Sequence, residues 1–184
     1  MITDSNQKYA LLVIDILNDF NFKHGKTLAT HTQKIVEPLL KLTNYSREKD
    51  IPVIYINDHY GLWQANLDKI YNHCQNEISN SIIKPLCPNE KDYFLIKPKH
   101  SAFFGTALHM LLHEIGVNTL IITGVAGNIC VLFTANDAYM RNFNLIIPED
   151  CVASVSNEDN LYALKMMKNV LSATIIHSSN FFEK

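Results

Sequence analysis

The stretch TLIITGVAGNICV, residues 119–131, decides the reading of the chain. Its first half is short, apolar and rich in branched residues, the pattern of a strand buried on both faces. It runs into Gly124 and Gly127, which permit a sharp, unusual backbone, and then into a helical pattern over residues 128–141. Asn128 is the expected N-cap of that helix. A buried strand passing through a tight turn into a helix is the unit from which parallel sheets are built.

The same alternation extends outward in both directions. Residues 9–14, YALLVI, form an apolar run ending at Asp15, and residues 52–56 and 93–96 read as two further buried strands. Residues 145–147 and 173–177 supply a fifth and a sixth. Between them, Ile35, Leu39 and Leu42 mark a helix over residues 32–49. Leu108, Leu111, Leu112 and Ile115 mark another that Gly116 should stop, and residues 158–171 a last one. The pattern predicts an α/β fold: three layers, α/β/α, around a six-stranded parallel sheet, whose order is taken as the doubly wound 3-2-1-4-5-6. Residues 60–90 are the least regular and are expected to form a loop and short helices over one end of the sheet. No repeat or linker divides the chain, so residues 1–184 read as a single domain.

Composition narrows the function. At 184 residues, 47 % hydrophobic and net charge −2, the chain has enough apolar material for one sizeable core. No block of Lys and Arg marks a nucleic-acid footprint, and no apolar run is long enough to cross a bilayer. The N-terminal MITDSNQK lacks the apolar core of a signal peptide. The four cysteines (74, 87, 130 and 151) form no CxxC pair, and read as reduced thiols of a cytoplasmic protein.

Three residues stand where chemistry is possible. Asp15 follows the first buried strand, where α/β sheets hold their ligands, although an Asp there also serves as a turn cap. Cys130 falls in the first turn of a helix, where the dipole and free N–H groups favour a thiolate and could hold an oxyanion; its alternative is a small buried hydrophobe. Lys97 ends a buried strand and needs an acidic partner, with Lys99 the competing choice. Asp15 and Cys130 would face each other at the switch point between strands one and four, and the path out of strand three could bring Lys97 to them. His100 and Ser101 are neighbours too close in the chain to act as base and nucleophile. His109 and His113 lie four apart on a helix without the Glu of HExxH and read as a solvated face.

The blocks ALLVIDILNDF (10–20), LIKPKHSAFFGTAL (95–108) and LIITGVAGNICVLFTANDA (120–138) resemble, in order, the signature blocks of the isochorismatase-like hydrolases, which include nicotinamidases. The resemblance implies a catalytic triad of Asp15, Lys97 and Cys130. It also implies a cis peptide between Val125 and Ala126, which turns the N–H of Ala126 toward an oxyanion hole beside that of Cys130. The implied reaction is hydrolysis of a small amide-like C–N bond through a Cys130 acyl-enzyme, with Asp15 as base and Lys97 holding it ionised. On that view, removing Asp15 slows alkylation of Cys130. Vinyl-ether hydrolysis of isochorismate, which needs no thiol, and a non-catalytic binding role are the alternatives.

Two positions depart from the family pattern. Leu17 stands where many members have Gln, and Asn57 replaces the Asp that begins the nicotinamidase metal set, with His59 and His73 nearby. A neutral amide is a poor substitute for a carboxylate ligand, so no metal and no cofactor are expected. Phe20, Trp63 and Phe103 are candidates to line a pocket for a small-molecule substrate. A homo-oligomer, dimer or larger, is expected, with neither nucleic acid nor membrane as a partner.

Overall fold

The computed structural model describes residues 7–182; the polar N-terminal stretch weighed above lies, for residues 1–6, outside them. At the centre are β1 (Tyr9–Ile14) and β4 (Thr119–Val125), paired in parallel from Tyr9↔Thr119 to Ile14↔Gly124. β4 is buried along its whole length. β2 (Val53–Asp58) flanks β1 on the other side, and β3 (Tyr93–Lys97) forms the edge. Beyond β4 lie β5 (Asn144–Pro148) and β7 (Thr174–Ile176), and a two-residue strand, β6 (Val152–Ala153), pairs with the end of β4. The main path is therefore β3-β2-β1-β4-β5-β7, all parallel. It is the expected order, with β7 as the sixth strand and β6 as an addition too short to read from hydropathy. β3 was read as fully buried; as an edge it is only partly covered, with Tyr93 exposed.

Strand periodicity sorts the core into two halves. Leu11 and Val13 of β1 face a cluster with Leu28, Ile35, Leu39 and Leu42 of α1 (Gly25–Glu48). Ala10, Leu12 and Ile14 face the opposite cluster. That one is built with Leu108 and Leu112 of α4 (Leu108–Glu114), Ala135 and Ala138 of α5 (Leu132–Tyr139), and Leu164 and Met167 of α6 (Asn157–Val170). The result is helices on both faces of one sheet. α1 begins earlier than residue 32 because Leu28, Ala29 and Thr32 continue its buried stripe. The short helices α2 (Leu67–Cys74) and α3 (Asn80–Ile83) fill the irregular stretch, and Cys74 and Asn76 bond back to the carbonyls of Leu17 and Asp19 just beyond β1. Among the described residues, no helix is long and apolar enough to cross a membrane.

The turn after β4 differs from the expected helix start. Residues 127–131 form one π-helical turn before α5, and Asn128 does not cap it: its N–H donates to Ser154 Oγ at 3.1 Å. Gly124 has φ +110, and a Cβ there would run into the backbone of Ile14. Gly124→Ala combines a disfavoured backbone with a main-chain clash. It should cost about 3 kcal/mol or more, read as a lowered urea midpoint; a midpoint within experimental scatter of the parent would contradict this packing.

Candidate active site

The sheet brings three side chains together at the carboxyl ends of its strands. Asp15, one residue past β1, is 6 % exposed and has φ +49, a left-handed conformation that Asp tolerates better than most residues. It is pinned by its own N–H to the Ile56 carbonyl, 3.0 Å, and by the Asp58 N–H donating to its Oδ1, 2.9 Å. Lys97 is the last residue of β3, in register with Asp58. Two strand spacings, about 10 Å, separate β3 from β1, and the long lysine arm spans them. The expected route, through the chain leaving β3, is not the one used. Lys97 Nζ meets Asp15 Oδ2 at 2.8 Å, the Lys99 carbonyl at 3.1 Å and Cys130 Sγ at 3.6 Å. An ammonium has three protons, and these three acceptors account for them. Lys99 takes part only through its backbone; its side chain is exposed.

Cys130 lies in the π turn, where its sulfur meets the same lysine that pairs with Asp15. The peptide Val125–Ala126 is cis, and the Ala126 carbonyl is taken up inside the turn, accepting from the N–H groups of Ile129 and Val131. A second layer seats this turn. Ser154 Oγ, which receives the Asn128 N–H, donates to Asn160 Oδ1 of α6 at 2.7 Å, and the Ser154 carbonyl meets His31 Nδ1 of α1 at 2.8 Å. Ser154 and Asn160 were not singled out in the sequence. They meet the turn only in space, through the Asn128 N–H, and no periodicity reports that.

Burial governs the charges. It raises the carboxyl pKa of Asp15, against the opposing pull of Lys97. Burial is also the strongest influence on Lys97, acting downward, but Asp15 and then Cys130 outweigh it and leave the ammonium raised. Cys130 is pushed up to about 12, by burial first and by Asp15 second, with Lys97 only partly offsetting them. Burial and Asp15 thus work against the thiolate that the helix start alone would favour.

The remaining candidates scatter. Phe20 is buried, with φ +53, and lines a cavity of about 830 Å³ with Asp19, His24, His73 and Asn76; none of the three central residues lines that cavity. Trp63 is 67 % exposed and stacks on His59 at 4.0 Å. Phe103 turns into the core against Phe143 and Arg141, with His109 at its edge. Ser101 is buried and accepts the Phe103 N–H, so it is a turn residue. His100, set aside in the sequence, has its Nδ1 4.0 Å from Cys130 Sγ.

A nicotinamidase-type metal does not fit these residues. Both ends of the Asn57 amide are engaged with Leu17, Nδ2 donating to its carbonyl at 2.5 Å and Oδ1 accepting from its N–H at 3.4 Å. His59 Nδ1 accepts from the Gly61 N–H, and His73 leans on Tyr60 and Asp19. Among the described residues, no three His, Cys, Asp or Glu side chains are grouped to hold one ion.

Comparison with known proteins sets this geometry in context. The isochorismatase domain model matches residues 9–179. The chain belongs to the isochorismatase family. It is 57 % identical to the isochorismatase family protein YaaI of Bacillus subtilis, over 95 % of this chain and 97 % of that one. Among solved structures, N-carbamoylsarcosine amidase from Thermoplasma acidophilum is 30 % identical, with a TM-score of 0.73 over 94 % of this chain and 97 % of that one. The pyrazinamidase/nicotinamidase of Streptococcus mutans is 28 % identical, with a TM-score of 0.73 over 92 % and 100 %. The protein is thus an isochorismatase-family hydrolase.

The raised thiol fixes how this hydrolase should respond to pH. Below its pKa the thiolate fraction falls tenfold per pH unit, so alkylation of Cys130 by iodoacetamide should climb from pH 7 to about pH 10 without a plateau. Asp15→Asn removes the charge that opposes ionisation and should speed alkylation near neutral pH, the reverse of what the sequence alone led us to expect. Rates and labelled residue are read by mass spectrometry; a plateau near pH 7, or slower labelling in Asp15→Asn, would contradict the electrostatics.

Proposed function

We propose that this hydrolase cleaves a small amide-like C–N bond through an acyl-enzyme on Cys130, working as a single domain over residues 1–184 in a reducing cytoplasm. The observation that carries the reading is the Lys97 ammonium joining the other two groups, 2.8 Å from Asp15 Oδ2 and 3.6 Å from Cys130 Sγ. Asp15 takes the thiol proton as sulfur attacks the carbonyl. The N–H groups of Ala126 and Cys130 are the proposed oxyanion donors. Lys97 favours ionised Asp15 and balances the charge that develops on sulfur. The proton on Asp15 then passes to the departing nitrogen, and water releases the acyl group. The amidases that the fold matches at 28–30 % identity support the choice of a C–N bond.

The test is a screen of small amides, ureides and isochorismate with intact-mass detection of an adduct on Cys130. Cys130→Ala should lose amide turnover by at least about 10³-fold while keeping its fold. Isochorismate turnover that survives in Cys130→Ala but dies in Asp15→Asn would move vinyl-ether chemistry to first place. No turnover of any class, with ligand binding intact in both variants, would favour a binding role.

We also propose a homo-oligomer. The tail does not support it, since Phe181 is buried and Phe182 packs on Tyr45 of the same chain. The support is the outer face of α5 and α6, where Leu161, Tyr162 and Val170 are each more than half exposed beside a small apolar cleft of about 230 Å³. Light scattering should give at least a dimer that Leu161→Glu with Tyr162→Glu dissociates; a monomeric parent at micromolar concentration would overturn this.

A further inference from the structure

Resting on that acyl-enzyme reading, the geometry points to His100 as a catalytic residue for its second half: the imidazole takes a proton from the hydrolytic water and returns it to the sulfur of Cys130. Three observations meet here. The first is position. His100 Nδ1 lies 4.0 Å from Cys130 Sγ, within reach of the one atom that must regain a proton when the thioester breaks. The ring also packs on Phe133 of α5, with centroids 5.6 Å apart, so it has a defined place.

The second is that the buried pair is already engaged. Asp15 Oδ1 accepts the Asp58 N–H and Oδ2 accepts Lys97, while Lys97 has its three protons directed at Asp15, the Lys99 carbonyl and Cys130. Asp15 and Lys97 are 6 % and 2 % exposed, so a water entering from solvent does not meet them first. His100, by contrast, is exposed beside the sulfur.

The third is how His100 is held. The bond from Lys97 Nζ to the Lys99 carbonyl fixes the peptide just before His100, tying the imidazole to the ammonium that also touches sulfur. The charged groups around it are Lys97 from β3, Asp15 from β1 across the sulfur, Asp58 behind Lys97, and Lys99 next in the chain.

The step balances. In acylation the Cys130 proton goes to Asp15 and on to the leaving nitrogen, so the thioester forms with that proton gone and none added to His100. In deacylation a water O–H proton passes to the imidazole as its oxygen bonds to the acyl carbon. The C–S bond then breaks, and the imidazolium gives its proton to the departing sulfur. The free acid leaves, and the enzyme is back in its starting state.

The probe is 4-nitrophenyl acetate, which acetylates a reactive cysteine and releases a coloured phenol. Parent, His100→Gln, His100→Ala and Cys130→Ala are compared by stopped flow and intact mass. A base acting only in deacylation predicts that kcat and KM fall together in His100→Gln, by roughly 10²-fold, while kcat/KM stays within about twofold. It predicts a burst of one phenol per enzyme with acetyl retained on Cys130, and recovery of kcat in His100→Ala by added imidazole. A structural role for His100 would not produce the trapped acetyl or the imidazole rescue. Loss of kcat/KM without trapped acetyl, or variants indistinguishable from the parent, would overturn the assignment and leave the acyl-enzyme reading standing. A parent that is never acetylated at Cys130, or full turnover in Cys130→Ala, would overturn both.

Discussion

The ion pair between Lys97 and Asp15 is the constraint from which the site follows. Both charges are almost wholly out of water, and neither would be tolerated there alone; breaking such a pair typically costs about 3–5 kcal/mol. Asp15 comes from a central strand and Lys97 from the edge strand two places away, so the pair exists only if β3, β2 and β1 keep their register. Folding and chemical competence are therefore coupled. A one-residue slip of β3 would turn Lys97 to the other face of the sheet and strand a buried carboxylate.

That pair also sets the character of the nucleophile. A helix start and a nearby lysine would, in a solvated site, hold a cysteine as thiolate. Here the sulfur shares its burial with a carboxylate, and the negative charge of Asp15 works against a second one. Burial and Asp15 thus favour a thiol beside a base over an ion pair of sulfur and lysine. The loop that follows Asp15 is held as firmly. The Leu17 carbonyl accepts from Asn57, Tyr60 and Cys74, so β2, the loop after it and the end of α2 are all bound to one oxygen just beyond β1.

Much of this was legible in the chain. The alternation of apolar runs and helical stripes points to a parallel sheet, though not by itself to the strand order that the structure has, and Asp15 and Lys97 stand out at strand ends and Cys130 at a helix start. What was not legible has a common cause. β6 is two residues long and carries no period. The edge exposure of β3 depends on what fails to pack on it. Asn57 looks like a poor metal ligand in sequence, and only the structure assigns its amide to the backbone of Leu17. His100 was discounted because it cannot reach Ser101; its neighbour in space is thirty residues away in the chain. The upward push of burial on Cys130 is likewise invisible to local motif chemistry, which carries no information about desolvation.

The seating of the nucleophile turn carries a consequence for how such a protein can change. Gly127 sits in a space bounded by Val152, Ser154 and Asn160, and the Ser154 hydroxyl links the N–H of Asn128 to the side chain of Asn160. Asn160 is on α6, outside the pocket, yet it sets the bearing of the turn that presents the sulfur. Drift in that outer helix can thus re-aim the nucleophile by fractions of an ångström while every group that meets the substrate stays the same. On the acyl-enzyme reading, selectivity can in this way be inherited through packing on the back of the turn as well as through the groups around the sulfur.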